Sequence, residues 1–388
     1  MTESVYVVGV GITPFGKFAD ESMKSLGRTA SRTALIDAGI SPRDIDLVSA
    51  GSARSGMLHG HESGVGQMVA WELGISGVAV YNVKAYCASG SSAFNVAYMA
   101  LAGGFNEVAL VVGVEQLSVR AEKGRPITSD GVEIESDFGF TPPAFFAAVT
   151  QEHMREFGTT REQLAAVAVK NRANAVHNPV AQYRNAISID DVINSPNVSG
   201  PLNLFDCCPT GDGAAALVLM TESAVKRLKV GDRAIRIASS VVRSGEYEQV
   251  KSLTTFNLDV LASKQAYEKA GLGPEDLDVV EVHDAFTITE LIHIEDLGLV
   301  AKGESGPAVA RGEFSLGGRI PVSTSGGLLT KGHPLGASGT AQLVELVEQL
   351  RGESGVRQVD GAKVAMAQMS GGFMESDLAT SCITILTR

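Results

Sequence analysis

Apolar runs of strand length alternate along this chain with stretches whose apolar residues recur every three to four positions, the pattern of an α/β fold. VYVVGVG at residues 5–11, EVALVVGVE at 107–115 and KVAMAQ at 363–368 read as buried strands. SSAFNVAYMALAGG at 91–104 and TAQLVELVEQLRG at 340–352 read as long helices. Each helical run follows a short tract of small residues, Ala88-Ser89-Gly90 in one case and Ala337-Ser338-Gly339 in the other.

The pattern is written twice. ALIDAGISPRDIDLV at residues 34–48 returns as AYEKAGLGPEDLDVV at 266–280, with seven of fifteen positions identical, among them Gly39 with Gly271, Pro42 with Pro274 and Asp46 with Asp278. Each copy predicts a helix stopped by glycine, a tight turn opened by proline, and a buried strand. The expectation is two homologous βαβαβ-type halves, about 1–230 and 231–388, with insertions in the first half over about 120–205. Those insertions are a Gly/Pro/Asp-rich stretch at 121–146 and an Asn-rich stretch at 160–204. In such folds, sites form where the ends of elements from both halves meet.

With 388 residues, 44% hydrophobic and 20% charged, the chain has the composition of a large ordered core rather than of a disordered or fibrous protein. A net charge of -12 argues against nucleic acid or an anionic membrane surface as partner. No run of about 18 apolar residues predicts a membrane span. The four cysteines, Cys87, Cys207, Cys208 and Cys382, form neither a zinc-ribbon spacing nor a disulfide framework. Reduced thiols and a chain opening directly on a strand predict a cytoplasmic protein with no leader and no metal site.

Four segments carry candidate chemistry. Cys87, in NVKAYCASGSSAFNVAYMAL, stands where a strand gives way to a helix, so the helix amides predict a lowered thiol pKa. A lone cysteine at such a junction is more often a packing residue than a nucleophile. His283, in VVEVHDAFTITELI, directly follows the repeated strand, on the rim where α/β enzymes place reactive groups, with a hydrogen-bonded structural histidine equally open. His333, in PVSTSGGLLTKGHPLGASG, lies in a Gly-rich loop that opens the second-half helix, placed to meet Cys87 across a pseudo-twofold; the spacing fits neither phosphate-loop fingerprint. QMSGGFMES at 368–376 has Gly371 and Gly372, either a simple turn or a source of backbone amides for an oxyanion.

Taken together, AYCASGSSA, LFDCCPTGDGAAA, EVHDAF and GGLLTKGHPLGASGTAQ resemble the thiolase superfamily, in its sterol-carrier-protein-type and archaeal acetyl-CoA acetyltransferase branch. The resemblance runs over essentially the whole chain. It implies two repeated α/β halves with helices between two mixed sheets, and an acyltransferase that cleaves or forms 3-ketoacyl-CoA with coenzyme A as substrate and no permanently bound cofactor. It implies that Cys87 carries the acyl group, that His333 takes the thiol proton, and that His283 binds the enolate oxygen. It also implies that the amides of Cys87 and of the Gly371-Gly372 pair stabilise the tetrahedral intermediate. A homodimer or tetramer is expected, with a small zinc-ribbon/OB-fold partner protein and a lid over 121–160 bearing Arg120, Lys123 and Arg125.

The chain departs from the family pattern at one point. Many thiolases carry a second cysteine two residues before a Gly-Gly pair, where this chain has Met369, and others carry it in the HDxF segment, where this chain has Ala285. A thioether accepts no proton, so the resemblance leaves the acid/base to His283 or to His333 in a double role. Alternative readings are a retro-aldolase or a C-acyltransferase on a non-CoA acceptor built on the same fold, or a non-catalytic acyl-CoA or lipid carrier.

Overall fold

The computed structural model describes residues 3–60, 63–118, 141–246, 252–374 and 377–388. Its strands are β1 (Val5–Ile12), β2 (Leu47–Gly51), β3 (Ala79–Val83), β4 (Val108–Gln116), a small hairpin of β5 (Asn197–Ser199) and β6 (Leu202–Asn203), β7 (Asp212–Thr221), β8 (Ile235–Ser244), β9 (Val279–Glu281), β10 (Val364–Met374) and β11 (Asp377–Thr387). The helices that shape the site are α1 (Met23–Ala38), α2 (Ser89–Ala102), α3 (Pro142–Phe157), α4 (Arg161–Val176), α5 (Asn257–Ala270), α6 (Thr287–Asp296) and α7 (Leu335–Arg351).

The sequence repeat is a structural repeat. Helices α1 and α5 both stop at a glycine with φ 69, Gly39 and Gly271, because the left-handed turn that satisfies the last carbonyls suits a residue without Cβ. Each is followed by a 3-10 turn, Pro42–Asp44 or Pro274–Asp276, and then by β2 or β9. The repeated aspartates do the same work. Asp46 accepts the amides of Glu107 and Val108 at the start of β4, and Asp278 accepts those of Lys363 and Val364 at the start of β10. Each carboxylate thereby fixes the register of its strand pair.

The strand order is β3-β2-β4-β7-β1-β8-β11-β10-β9. In the first half β2 pairs parallel with β3 and β4, and β4, β7 and β1 then pair antiparallel; in the second, β9 pairs parallel with β10, and β10, β11 and β8 pair antiparallel. The two mixed sheets meet at a short antiparallel ladder, Tyr6 with Arg236 and Val7 with Ile235, so they are continuous at that edge.

Helices α2 and α7 pack against each other between the sheets, in one core with Ala93, Phe94, Ala97, Leu343, Val344 and Val347. The small-residue tracts at their starts allow a close crossing. A Cβ on Gly90 would lie 2.5 Å from the carbonyl of Gly336, and one on Gly339 would lie 2.0 Å from the Ser91 hydroxyl. The two helix starts that carry Cys87 and His333 are therefore held at backbone contact.

Helices α3 and α4 pack onto the C-terminal region of the chain. Phe145 and Phe146 of α3 and Leu164 of α4 share a core with Phe256, Phe286 and Ile288. Of the expected lid, residues 121–140 with Lys123 and Arg125, and Arg120 beside them, lie outside the described residues; 142–157 is helix α3. The polar residues of α4 point inward. Lys170, Asn171 and Asn174 are buried and bond, respectively, to Val322 O and Glu290, to Asp284 and Glu290, and to Ser323 O. A polar sequence here marks a buried frame behind the Gly-rich loop. Among the described residues, no helix is long and apolar enough to cross a membrane.

Candidate active site

Past β3 the chain turns sharply into α2. Tyr86 takes φ 50, a conformation uncommon for a residue with a side chain, and the turn is braced by the Ser89 hydroxyl, which accepts the Ala85 amide at 2.9 Å and donates to the Tyr86 carbonyl at 2.6 Å. This elbow lifts Cys87 into a cavity. Strand β10 lies flush against it: a Cβ on Gly371 would lie 2.4 Å from the Ala85 carbonyl. The amide of Gly372 faces the Cys87 sulphur and favours its anionic form. The Gly-Gly pair is thus part of the strand, where one of the readings from sequence was a turn.

His283 follows β9 directly, and its own amide donates to Gln368 Oε1 at 2.9 Å. Its carbonyl accepts the hydroxyl of Thr289, from the first turn of α6. His333 ends the Gly-rich loop. Its Nδ1 lies 2.8 Å from the Ser338 hydroxyl, which itself donates to the Pro334 carbonyl at 3.0 Å. A hydroxyl has one proton, so Ser338 accepts from Nδ1–H and leaves the lone pair of His333 on Nε2.

The fold brings the three residues together. The donor atoms of Cys87, His283 and His333 lie within 4.8 Å of one another, and the two imidazoles meet edge to face with centroids 5.4 Å apart. Both rings are buried, and neither Nε2 has a hydrogen-bond partner among the described residues.

The electrostatics correct one expectation. Burial pushes the Cys87 thiol up to about 11, against the opposing pull of Arg54 and the Gly372 amide. The helix start does not make a resting thiolate, because the sulphur packs in an apolar cluster with Ala88, Leu328 and Met369, where an anion is poorly solvated. Burial likewise holds His333 down to about 3, and holds His283 well below the usual imidazole range, with the His333 and His293 rings adding to the effect. The resting site is a neutral thiol beside two neutral imidazoles. Such a donor set also suits a soft divalent metal such as zinc, whose binding would release the thiol proton.

The cavity above these groups holds about 610 Å³ and is walled by Phe146, Phe286, Phe373, Leu117 and Leu378. Phe146 stacks on Phe286 at 4.6 Å, and Phe145 on Phe373 at 4.5 Å. Met369 packs with Leu328 and Cys382 beneath the site.

Several supporting residues carry no single-residue signal in the sequence. Asp284 accepts the amides of Leu328 and Leu329 and so pins the Gly-rich loop. Glu115 accepts the amides of Ala53 and Arg54 from one half and of Gly336 from the other. Ser338 and Cys208 lie inside segments already singled out, but their parts depend on partners distant in sequence.

A strand-to-helix elbow bearing a thiol, faced by a histidine whose free nitrogen points inward, defines an acyl-transfer type of site on a duplicated α/β fold. The chain belongs to the thiolase family: the family's N-terminal domain matches residues 5–223, and a thiolase C-terminal domain-like region matches residues 239–388. It is 38% identical over 371 residues to an acetyl-CoA acetyltransferase of Methanothermobacter thermautotrophicus, covering 95% of this chain and 96% of that one. It is 38% identical over 376 residues to the benzoylsuccinyl-CoA thiolase subunit BbsB of Thauera aromatica, covering 96% of each. Among solved structures it superposes on the Ltp2-ChsH2(DUF35) aldolase with a TM-score of 0.84 at 27% identity, covering 100% of this chain and 98% of that one. Human mitochondrial 3-ketoacyl-CoA thiolase, at 21% identity and a TM-score of 0.76 over 99% of this chain and 98% of that one, shares the fold.

Proposed function

We propose that this protein is a thiolase that cleaves or forms 3-ketoacyl-CoA by ping-pong acyl transfer through Cys87. The observation that carries the reading is the convergence, within 4.8 Å, of the Cys87 sulphur and a ring nitrogen of each of His283 and His333, both rings with an unpartnered Nε2, in the lining of one apolar cavity. As the sulphur attacks the 3-keto carbon, its proton passes to Nε2 of His333, the only ring nitrogen there with its lone pair fixed by Ser338. The amides of Cys87 and Gly372 flank the reacting carbon and stabilise the oxyanion. His283 donates to the enolate oxygen released when the C2–C3 bond breaks. Its neutral state at working pH suits a donor that must not surrender a charge.

The aromatic walls and a volume of about 610 Å³ favour an acyl chain larger than acetoacetyl. Coenzyme A is a substrate in this scheme, with no resident cofactor. We read the two halves as dividing near residue 230. The exposed edge strand β3, with Tyr81 at its centre and Trp71 nearby, supports a homodimer. The subunit status in the name of the Thauera relative and the DUF35 component of the aldolase complex support a small partner protein. A reducing cytoplasmic setting suits a catalytic thiol.

The experiment is intact-mass spectrometry after mixing with acetoacetyl-CoA or a longer ketoacyl-CoA, beside Cys87→Ala. An acyl adduct in the parent and none in the variant is expected. The aldolase neighbour motivates a second reading, retro-aldol cleavage of a 3-hydroxyacyl-CoA, which needs no acyl-cysteine. Cleavage of that substrate by Cys87→Ala, with no adduct in the parent, would replace the thiolase reading.

A further inference from the structure

The site holds a second thiol. Cys208 lines the same cavity as Cys87, His283 and His333, and packs on the same apolar cluster as Cys87. Its position is fixed by strand-like pairing: Cys207 bridges Phe286 in antiparallel fashion, and the Cys208 amide donates to the Ala285 carbonyl at 2.9 Å. Directly opposed residues in such a pair project to the same side with Cβ atoms about 5 Å apart. Cys208 and Ala285 both line the cavity, two residues along from His283.

Neither imidazole is free to exchange a proton with the substrate α-carbon. His333 holds the proton of Cys87 once the acyl group is on sulphur. His283, buried at 6% exposure with its ring 5.4 Å from that of His333, cannot become a cation beside another. The two orphaned Nε2 atoms also mark the cavity as a place where a polar substrate group belongs.

We propose that Cys208 is the acid and base for the substrate α-carbon. The assignment rests on the acyl-transfer reading of Cys87. In the cleavage direction the electrons of the breaking C2–C3 bond take the proton of the Cys208 thiol, so the first acyl-CoA leaves and Cys208 is a thiolate opposite the His333 imidazolium. That thiolate takes the proton of the incoming coenzyme A thiol, whose sulphur attacks the acyl group on Cys87. The Cys87 sulphur departs and recovers its proton from His333. One ketoacyl-CoA and one coenzyme A give two acyl-CoA molecules, and both thiols are restored. Burial and the neighbouring Cys87 keep Cys208 protonated at rest, its pKa well above the ordinary thiol value, as a proton donor requires.

The test separates the two thiols. Acylation of Cys87 from acetyl-CoA is followed by intact mass, and exchange of the acetyl-CoA methyl protons with D₂O is followed by NMR, in the parent, Cys208→Ala and the near-isosteric Cys208→Ser. The expected result is exchange at least about 100-fold slower in both variants, the scale of a lost general base, with acylation slowed but by much less, because coenzyme A can leave as a thiolate whereas a carbanion needs the proton. Parent-like exchange in a variant that still acylates overturns the assignment to Cys208 while leaving Cys87 in place. A parent that exchanges but forms no adduct overturns the acyl-transfer reading and this proposal with it.

Discussion

A Cβ built on Gly327 would lie 1.9 Å from Oδ2 of Asp284. The same carboxylate accepts the amides of Leu328 at 2.6 Å and Leu329 at 3.3 Å, so it occupies the space beside residue 327 in order to cap the turn that leads to His333. Gly327 also sits at φ 60, where a side chain costs about 1–2 kcal/mol before any collision. Gly327→Ala is therefore expected to lose about 3 kcal/mol or more of stability, and the folded fraction to acylate slowly because the loop carrying His333 shifts. Denaturant unfolding and adduct formation measure the two effects. A variant as stable as the parent would show that Asp284 is free to move away.

Much of this architecture is legible in the sequence. The repeat of Gly39 and Asp46 at Gly271 and Asp278 carries the turn and the strand register with it, since glycine stops and aspartate caps act on near neighbours. Cys87, His283 and His333 stand out because each follows a strand or opens a helix. What cannot be read is the environment each meets across the fold. The helix start at Cys87 predicts a lowered pKa, but Leu328 and Met369, both far along the chain, bury the sulphur and reverse the sign. Cys208 gains its place from Ala285, 77 residues away (285 − 208), and the inward-facing polar residues of α4 gain theirs from Asp284 and Glu290.

The Ser338 hydroxyl sets the tautomer of His333, so its loss frees the ring to carry its proton on either nitrogen. Ser338→Ala is expected to slow acylation of Cys87 by roughly 10- to 100-fold, part of the contribution of a positioned general base. Ser338→Thr, which keeps the hydroxyl, is expected to recover most of the rate. Equal losses in the alanine and threonine variants would mean that Ser338 matters only for packing at the start of α7.

Phe146 limits one side of the cavity, held by its stack on Phe286 and its edge contact with Phe373 at 6.4 Å. Phe146→Ala opens the acyl wall while leaving Cys87 and His333 untouched. The ratio of kcat/KM for a long-chain ketoacyl-CoA to that for acetoacetyl-CoA is expected to rise roughly 10- to 100-fold, the scale of one or two apolar contacts in such a pocket. Phe146→Leu should fall between. An unchanged ratio in both variants would place the acyl chain elsewhere in the cavity.

The resting protonation state has a direct signature in alkylation. Burial disfavours the charged form of each group, so the acid Cys87 is shifted up, to about 11, and the base His333 is shifted down, to about 3. Between those values the proton stays on sulphur. At pH 7 a pKa of about 11 leaves roughly one thiolate in ten thousand, and that fraction grows about tenfold for each pH unit. The rate of iodoacetamide labelling at Cys87, followed by mass against Cys87→Ala, is therefore expected to climb steadily from pH 7 to pH 10 without levelling. An ion pair of thiolate and imidazolium predicts the opposite curve, a fast rate that is already flat at pH 6. A plateau of that kind would show that the sulphur is anionic before substrate arrives, and that His333 holds its proton from the start.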